Sequence, residues 1–196
     1  MIQVKKYVGF NFNITEIKRY AKISNTSEFD KLINECIDEV KDKLTYKVCY
    51  DEFDVNVINN RIDFGVFDVN SSNLSVNLAG SNKAIIFATT IGIEIDRLIN
   101  KYLKIAPSKA IIFQAIGAER IETLANAFNN EIATIYPNFI LKPRYSPGYG
   151  DFDIKYQKKI FDVLNCYKNI GLTLNDSLIM SPSKSVTAIV GLESKG

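Results

Sequence analysis

The 196-residue sequence contains no histidine. Histidine is the commonest general base near neutral pH and the commonest neutral metal ligand, so its absence excludes a Ser-His-Asp triad and a Cys-His dyad within this chain. The three cysteines, Cys36, Cys49 and Cys166, are widely spaced and form no Cys-x-x-Cys pair. We therefore expect buried, reduced thiols and predict neither a metal site nor a catalytic residue.

Long apolar runs and clusters of like charge are also missing. No run approaches a membrane span, and the first six residues lack the apolar core of a signal peptide, so we expect a cytoplasmic protein. The net charge of +2 is spread along the chain, which argues against nucleic-acid binding. A hydrophobic fraction of 46% predicts a well-packed core. No Gly-x-Gly-x-x-Gly follows a strand, so a Rossmann fold is disfavoured.

The hydrophobic periodicity predicts an α+β fold, a mixed or antiparallel sheet with long helices packed on it. Ser27 is expected to cap an amphipathic helix that reaches Leu44. Pro107 is expected to open a long helix that ends near Ile135. Alternating apolar residues predict the strands, with a turn at Asn59-Asn60 between the first two. The predicted strands are Tyr46–Ile58, Ile62–Val69, Lys83–Thr90, Leu172–Met180 and Ser185–Leu192.

The stretch Arg144–Asp151, Arg-Tyr-Ser-Pro-Gly-Tyr-Gly-Asp, combines a cation, two phenol rings, two glycines and a carboxylate. Proline fixes φ and glycine permits close backbone approach, so such a turn can present Arg144 and the Tyr149 ring beside bare backbone. That arrangement suits a flat, partly charged ligand with a carboxylate. On turn chemistry alone, an arginine-capped surface turn explains the same residues.

This stretch resembles the Arg-x-x-x-Gly-Tyr motif in the activation domain of cobalamin-dependent methionine synthase. The helical segment 118–125 is similar to the Ala/Glu-rich helix of that domain. Segments 170–177 and 180–188 match its Gly-Leu-Thr-x-x-x-x-Met-x-Pro pattern in order and spacing, and segment 88–92 resembles short stand-alone relatives. The resemblance implies one activation-domain-like domain over 1–196, with a helix and strand lobe over 1–80 and a site-bearing half over 81–196.

The resemblance implies a binding site for S-adenosylmethionine (SAM) at the turn. Arg144 would bind the methionine carboxylate and Glu122 the ribose hydroxyls or the ammonium group. The backbone beside Ser146 would meet the adenine edge, and Tyr149 would offer a ring face to the sulfonium. An N-terminal aspartate of the family site has no clear match, and Asp151 is taken as its stand-in. The implied cofactor-binding residues are Glu122, Arg144, Ser146, Gly148, Tyr149 and Asp151.

The resemblance further implies an accessory protein that supports reductive methylation of a cobalamin. The cobalamin would be carried by a partner, which is a corrinoid-binding methionine synthase or methyltransferase. A flavodoxin-type reductant is one implied electron source. The chain has no segment for cobalamin, homocysteine or folate, so it is not a complete methionine synthase. A family tyrosine beyond the last strand pair has no counterpart. The alternative is therefore a non-catalytic scaffold that has lost SAM binding. An independent methyltransferase is disfavoured because no base accompanies the turn.

Four polar residues near these motifs also have ordinary structural interpretations. Glu122 is typical of a solvated helix acid, and Glu119 with Arg120 of a charge pair on a helix surface. Lys184 is expected to be a solvated loop lysine, or a cation that meets a corrin propionate.

Overall fold

The computed structural model describes residues 1–195 and has a central five-stranded sheet in which every paired strand is antiparallel. The strand order is β1-β2-β6-β10-β7, so the sheet contains strands from both sides of residue 80. A three-stranded sheet and a two-stranded hairpin complete the β-structure. The strands are β1 (Gln3–Tyr7), β2 (Tyr46–Asp54), β3 (Asn56–Ile58), β4 (Arg61–Asp63), β5 (Asp68–Asn70), β6 (Lys83–Thr90), β7 (Phe139–Leu141), β8 (Thr173–Leu174), β9 (Met180–Ser181) and β10 (Ser185–Ser194).

Helices cover both faces of the central sheet. Asn13 caps α1 by accepting from the Glu16 amide at 3.2 Å, and Ser71 caps α3 through Leu74 at 3.0 Å. The 29-residue α5 begins at Pro107, where the missing proline N–H leaves no helical hydrogen bond unmade. The helices are α1 (Ile14–Ala21), α2 (Asp30–Val40), α3 (Ser72–Asn77), α4 (Glu94–Ile105), α5 (Pro107–Ile135), α6 (Gln157–Leu164) and α7 (Cys166–Ile170).

The two cores follow from the alternation of side chains along the buried strands. In β6, Ile85 and Phe87 face α1, α2, α4 and α5, whereas Ala84, Ile86 and Ala88 face the small sheet with α3, α6 and α7. These residues are fully buried, because apolar elements cover both sheet faces. The predicted α+β class is therefore confirmed. Helices cover one face of the central sheet, and helices together with the small sheet cover the other face. All three cysteines are buried and free, as expected.

Four local predictions needed correction. The predicted strand Tyr46–Ile58 is interrupted at Val55 and gives β2 and β3, and the predicted strand Ile62–Val69 is instead a hairpin of β4 and β5. The helix predicted from Ser27 to Leu44 begins with a 3₁₀ turn at Ser27–Phe29, and its α-helical part covers only Asp30–Val40. The predicted strand Leu172–Met180 is instead a tight hairpin of β8 and β9. The Asn175 side chain accepts from the Ile179 amide at 2.9 Å, which bends the chain back on itself. Among residues 1–195, no helix combines the length and apolar character needed to cross a bilayer.

Candidate functional site

The turn that carries the predicted site is fixed to the central sheet by one pair of hydrogen bonds. The Tyr145 amide donates to the Ile189 carbonyl, and the Ile189 amide donates to the Tyr145 carbonyl, both at 2.9 Å. Pro147 follows and has no N–H to continue the ladder, so the chain leaves β10 at this point. Arg144 and Ser146 are thereby held on either side of Tyr145, the residue that pairs with Ile189.

Two glycines give the turn its shape. Gly148 has φ +93° and Gly150 has φ +55°, both in the left-handed region that residues with a Cβ avoid. A Cβ at Gly150 would lie 2.5 Å from Asn73 Oδ1 and 2.7 Å from the Tyr145 hydroxyl oxygen. The turn therefore packs closely against α3 only because this position carries no side chain.

The turn forms one wall of a groove of about 760 Å³, a volume within the usual range for small-molecule sites. Glu122, Arg144, Ser146 and Tyr149 line it, so the structure brings together four of the predicted residues. Residues 178–180 and the first part of β10 also line the groove. Gly148 shapes the turn but is not among the lining residues.

Arg144 is the groove's principal cation and has one half of its guanidinium unused. Its Nη2 donates to Glu122 Oε2 at 3.2 Å and to Asn126 Oδ1 at 3.0 Å. Its Nη1 is buried and has no hydrogen-bond partner within residues 1–195. A buried donor without a partner is unfavourable, so this nitrogen is suited to an acceptor supplied by a ligand.

Asp151 lies outside the groove lining and is engaged with α3. Its carboxylate accepts from the Ser71 hydroxyl at 2.5 Å and from the amides of Ser72 and Asn73 at 2.7 and 3.0 Å. In return, the Asn73 side chain accepts from the Asp151 amide at 3.1 Å. The Ser71 hydrogen bond is the main cause that lowers the pKa of the Asp151 carboxyl. Its observed contacts position the turn on α3.

Glu119 and Arg120 form an ion pair, but the expected surface location is wrong. Arg120 is fully buried and Glu119 is 3% exposed. Arg120 also donates to the carbonyls of Phe10 and Asn11, at 3.2 and 2.6 Å, and its guanidinium lies 4.3 Å from the centre of the Phe12 ring. The segment before α1 therefore crosses α5 and covers a face that the helix pattern alone predicts to be solvated.

Lys184 is half-buried rather than solvated. Its aliphatic carbons lie where a side chain on Gly117 would be, and its Nζ donates to Gln114 Oε1 at 2.6 Å. Burial lowers the pKa of this amine. The adjacent Ser183 amide donates to Asp96 Oδ2 at 2.9 Å, so the loop before β10 is fixed to both α4 and α5.

The sequence interpretation missed several residues of the site, among them Asn126 and Gln157. Asn126 lies one helical turn after Glu122 on α5, and this i, i+4 spacing is a signal that sequence inspection can use. Gln157 reaches the groove from α6 and donates to the Leu178 carbonyl at 3.2 Å. No local pattern could reveal Gln157, since it joins elements that are distant in the chain. Within the described residues, no cluster of three or more acidic or cysteine side chains could hold a metal ion.

The sequence model of the vitamin B12-dependent methionine synthase activation domain matches residues 75–195, which is more than half of the chain and includes the Arg144 turn. The chain belongs to this family. The resemblance drawn from the turn and its flanking motifs is thus confirmed. No curated protein matches the sequence.

A solved relative of this activation-domain chain supports the fold assignment. The crystal structure of the MetH reactivation domain bound to AdoHcy is similar over 100% of this chain and 79% of that chain, with a TM-score of 0.72. The two sequences are 16% identical, so the likeness establishes a common fold. It confirms the activation-domain-like architecture inferred from the sequence.

Proposed function

We propose that this protein binds SAM in the groove beside Arg144 and supports reductive methylation of the cobalamin cofactor of a corrinoid-dependent methionine synthase or methyltransferase. Membership of the activation-domain family supports the general role in reactivation. The observation that carries the site assignment is that Arg144 lines the groove while its buried Nη1 has no hydrogen-bond partner within residues 1–195. The MetH reactivation domain, which shares the fold, has been crystallised with AdoHcy.

The residues around the turn fit the amino-acid end of such a ligand. Arg144 Nη1 can donate to the methionine carboxylate while Nη2 keeps its bond to Asn126. Glu122 is 45% exposed at its side chain, so it can accept from the ligand ammonium or from ribose hydroxyls. Arg144 would then place its positive charge beside the ligand carboxylate, and Glu122 its negative charge beside the ligand ammonium group.

Ser146 and Tyr149 complete the proposed contacts, with Gly148 shaping the backbone between them. Tyr149 is 68% exposed, so its ring face is open to a sulfonium or to a docked corrin. Asp151 supports the site by holding the turn on α3. We assign it a positioning role, because its carboxylate is engaged there.

The partner in this proposal carries the cobalamin. SAM held in the groove would supply its methyl group to the reduced cobalt of the partner, and S-adenosylhomocysteine would leave. The chain's contribution is to position the ligand and to exclude water. Exposed apolar side chains of Tyr149, Ile154 and Ile179 surround the groove and suit contact with such a partner. A flavodoxin-type reductant is one source of the electron that would reduce the partner's cobalt.

The alternative function is a scaffold that contacts a corrinoid protein without binding SAM. The contacts of Arg144 Nη2 favour it, because Glu122 and Asn126 satisfy this nitrogen from within the protein. A scaffold would use the apolar rim and leave the Arg144–Glu122 ion pair intact.

Calorimetric titration with SAM distinguishes the two functions. We expect saturable binding that Arg144→Ala weakens by roughly 30- to 150-fold, since a charged hydrogen bond in a partly buried site contributes about 2–3 kcal/mol. Arg61→Ala is the matched control, because Arg61 pairs with Asp68 on the exposed small sheet. Binding that is undetectable, or equal in the Arg144→Ala and Arg61→Ala variants, would contradict the proposed site.

A second experiment tests the biological role. A corrinoid methyltransferase without its own activation domain is oxidised, then supplied with SAM, a reductant and this protein. We expect recovery of methylcobalamin absorbance with the wild-type protein and a much slower recovery with Arg144→Ala. Recovery that is independent of SAM, together with capture of the corrinoid protein, would support the scaffold function instead.

A further inference from the structure

One lysine lies between two residues that line the groove but is not part of the lining itself. Ser183 and Ser185 are lining residues, whereas Lys184 is not. The carbon chain of Lys184 lies against Gly117 of α5, and its Nζ donates to Gln114 Oε1 at 2.6 Å. Lys184 therefore joins the loop before β10 to the long helix by contacts outside the groove.

The space that Lys184 occupies exists because position 117 carries no side chain. A Cβ at Gly117 would lie 2.8 Å from Cγ of Lys184 and 2.9 Å from its Cε. Cγ is close to the backbone, so relieving this clash requires another χ1 rotamer or a shift of the loop. Glycine is less favourable than alanine in the interior of a helix such as α5. The glycine thus serves the contact with Lys184 and not the stability of the helix.

This contact connects two separate parts of the groove lining. The loop carries Ser183 and Ser185, and α5 carries Glu122. Two backbone contacts hold the loop elsewhere: the Ser183 amide donates to Asp96 Oδ2 at 2.9 Å, and the Ile91 amide donates to the Lys184 carbonyl at 3.2 Å. The Lys184 side chain adds the contact to α5, so its packing affects the distance from the loop to Glu122.

We propose that Lys184 is a positioning residue for the groove, and that the packing of its carbon chain on Gly117 sets the distance between the loop and α5. Binding groups work well only when they are held to within about 0.5 Å of the productive geometry. Loss of this packing should therefore weaken binding, although Lys184 does not line the groove. This inference rests on the proposed function, because SAM is the ligand whose affinity reports the groove geometry.

Calorimetric titration with SAM tests the contact through paired substitutions. Gly117→Ala and Lys184→Ala should each weaken SAM binding by roughly 3- to 30-fold, within the range of coupling between residues in contact. The double variant Gly117→Ala/Lys184→Ala should bind about as well as either single variant, because both substitutions remove the same contact. Lys184→Met should bind within about 3-fold of wild type, since methionine keeps a flexible chain of similar shape without the amine.

Two further measurements separate positioning from a general effect on the fold. Lys109→Ala is the matched control, because Lys109 lies on the same helix and pairs with Glu35 of α2. It should leave SAM affinity unchanged. Backbone NMR of the protein without SAM should show strong shifts of the Ser183 and Ser185 amides in Gly117→Ala. Position 117 is distant in sequence, so these shifts report the contact through space.

Several results would overturn the positioning role and leave the SAM site intact. These are wild-type affinity in both single variants, losses that add up in the double variant, and unchanged Ser183 and Ser185 amide signals in Gly117→Ala. A Lys184→Met variant that binds as weakly as Lys184→Ala would overturn the role of the carbon chain. Failure of the wild-type protein to bind SAM would instead overturn the proposed function, and the positioning role with it.

Discussion

Arg120→Met should be among the more damaging substitutions in the molecule. The Arg120 side chain is fully buried and pairs with Glu119, which is 3% exposed. It also satisfies the carbonyls of Phe10 and Asn11. Methionine has a similar length but no donor, so the substitution leaves a buried carboxylate and two carbonyls without their partner.

The expected loss follows from that uncompensated charge. Removing one partner of a buried ion pair costs about 3–5 kcal/mol, which is a large part of a typical unfolding free energy of about 5–15 kcal/mol. With a urea dependence of about 2 kcal/mol per molar, the unfolding midpoint should fall by roughly 1.5–2.5 M. Replacing Glu119 as well, in Arg120→Met/Glu119→Leu, should lose less than the single variant, because the buried charge is gone.

Urea unfolding followed by circular dichroism measures both variants. Arg97→Met is the matched control, because Arg97 is 68% exposed at its side chain and pairs with Glu94 on the surface of α4. Its stability should change by less than about 1 kcal/mol. A loss below about 1 kcal/mol for Arg120→Met would refute the reasoning. A double variant at least as unstable as Arg120→Met would refute the coupling between the two side chains.

Two further predictions concern the turn and a buried thiol. Gly150→Ala should lower the unfolding free energy in urea more than Gly171→Ala. Both glycines have positive φ, but only at Gly150 would a Cβ meet Asn73 and Tyr145. Equal losses of stability in the two variants would contradict the close packing of the turn. Burial raises the pKa of the Cys36 thiol from 9.0 to about 11, so this neutral thiol stabilises the fold below pH 9 and that contribution is lost as the pH rises towards 11. Unfolding free energies measured from pH 8 to 11 should therefore fall more steeply for wild type than for Cys36→Ala, and parallel curves would count against it.

The strongest local sequence patterns were sufficient to predict several helices, strands and turns. The long helix begins at Pro107 and ends at Ile135 as the apolar stripe indicated, because proline fits the first turn and Pro137 cannot continue the helix. The apolar run Lys83–Thr90 is a central strand, since a strand covered on both faces tolerates such continuous burial. The Arg144 turn was identified because its residue types are unusual at that spacing.

Weaker sequence patterns gave wrong predictions. The Asn175 side chain turns Leu172–Met180 into a hairpin, although its alternation also fits a strand. Arg120 looked like a surface residue because its cover, Phe10 and Asn11, is more than a hundred positions away in the chain. Helical periodicity reports one hydrophobic stripe and says nothing about a second segment that packs on the polar face.

By itself, the sequence determined the fold class, the family and the residues of the turn, because each depends on order and spacing along the chain. Only the tertiary structure decided that Asp151 engages α3 and that Nη1 of Arg144 has no partner within residues 1–195. These properties depend on which backbone and side-chain groups find partners across long separations in sequence. Hydrogen-bond satisfaction is a property of the folded chain, so no local pattern can specify it.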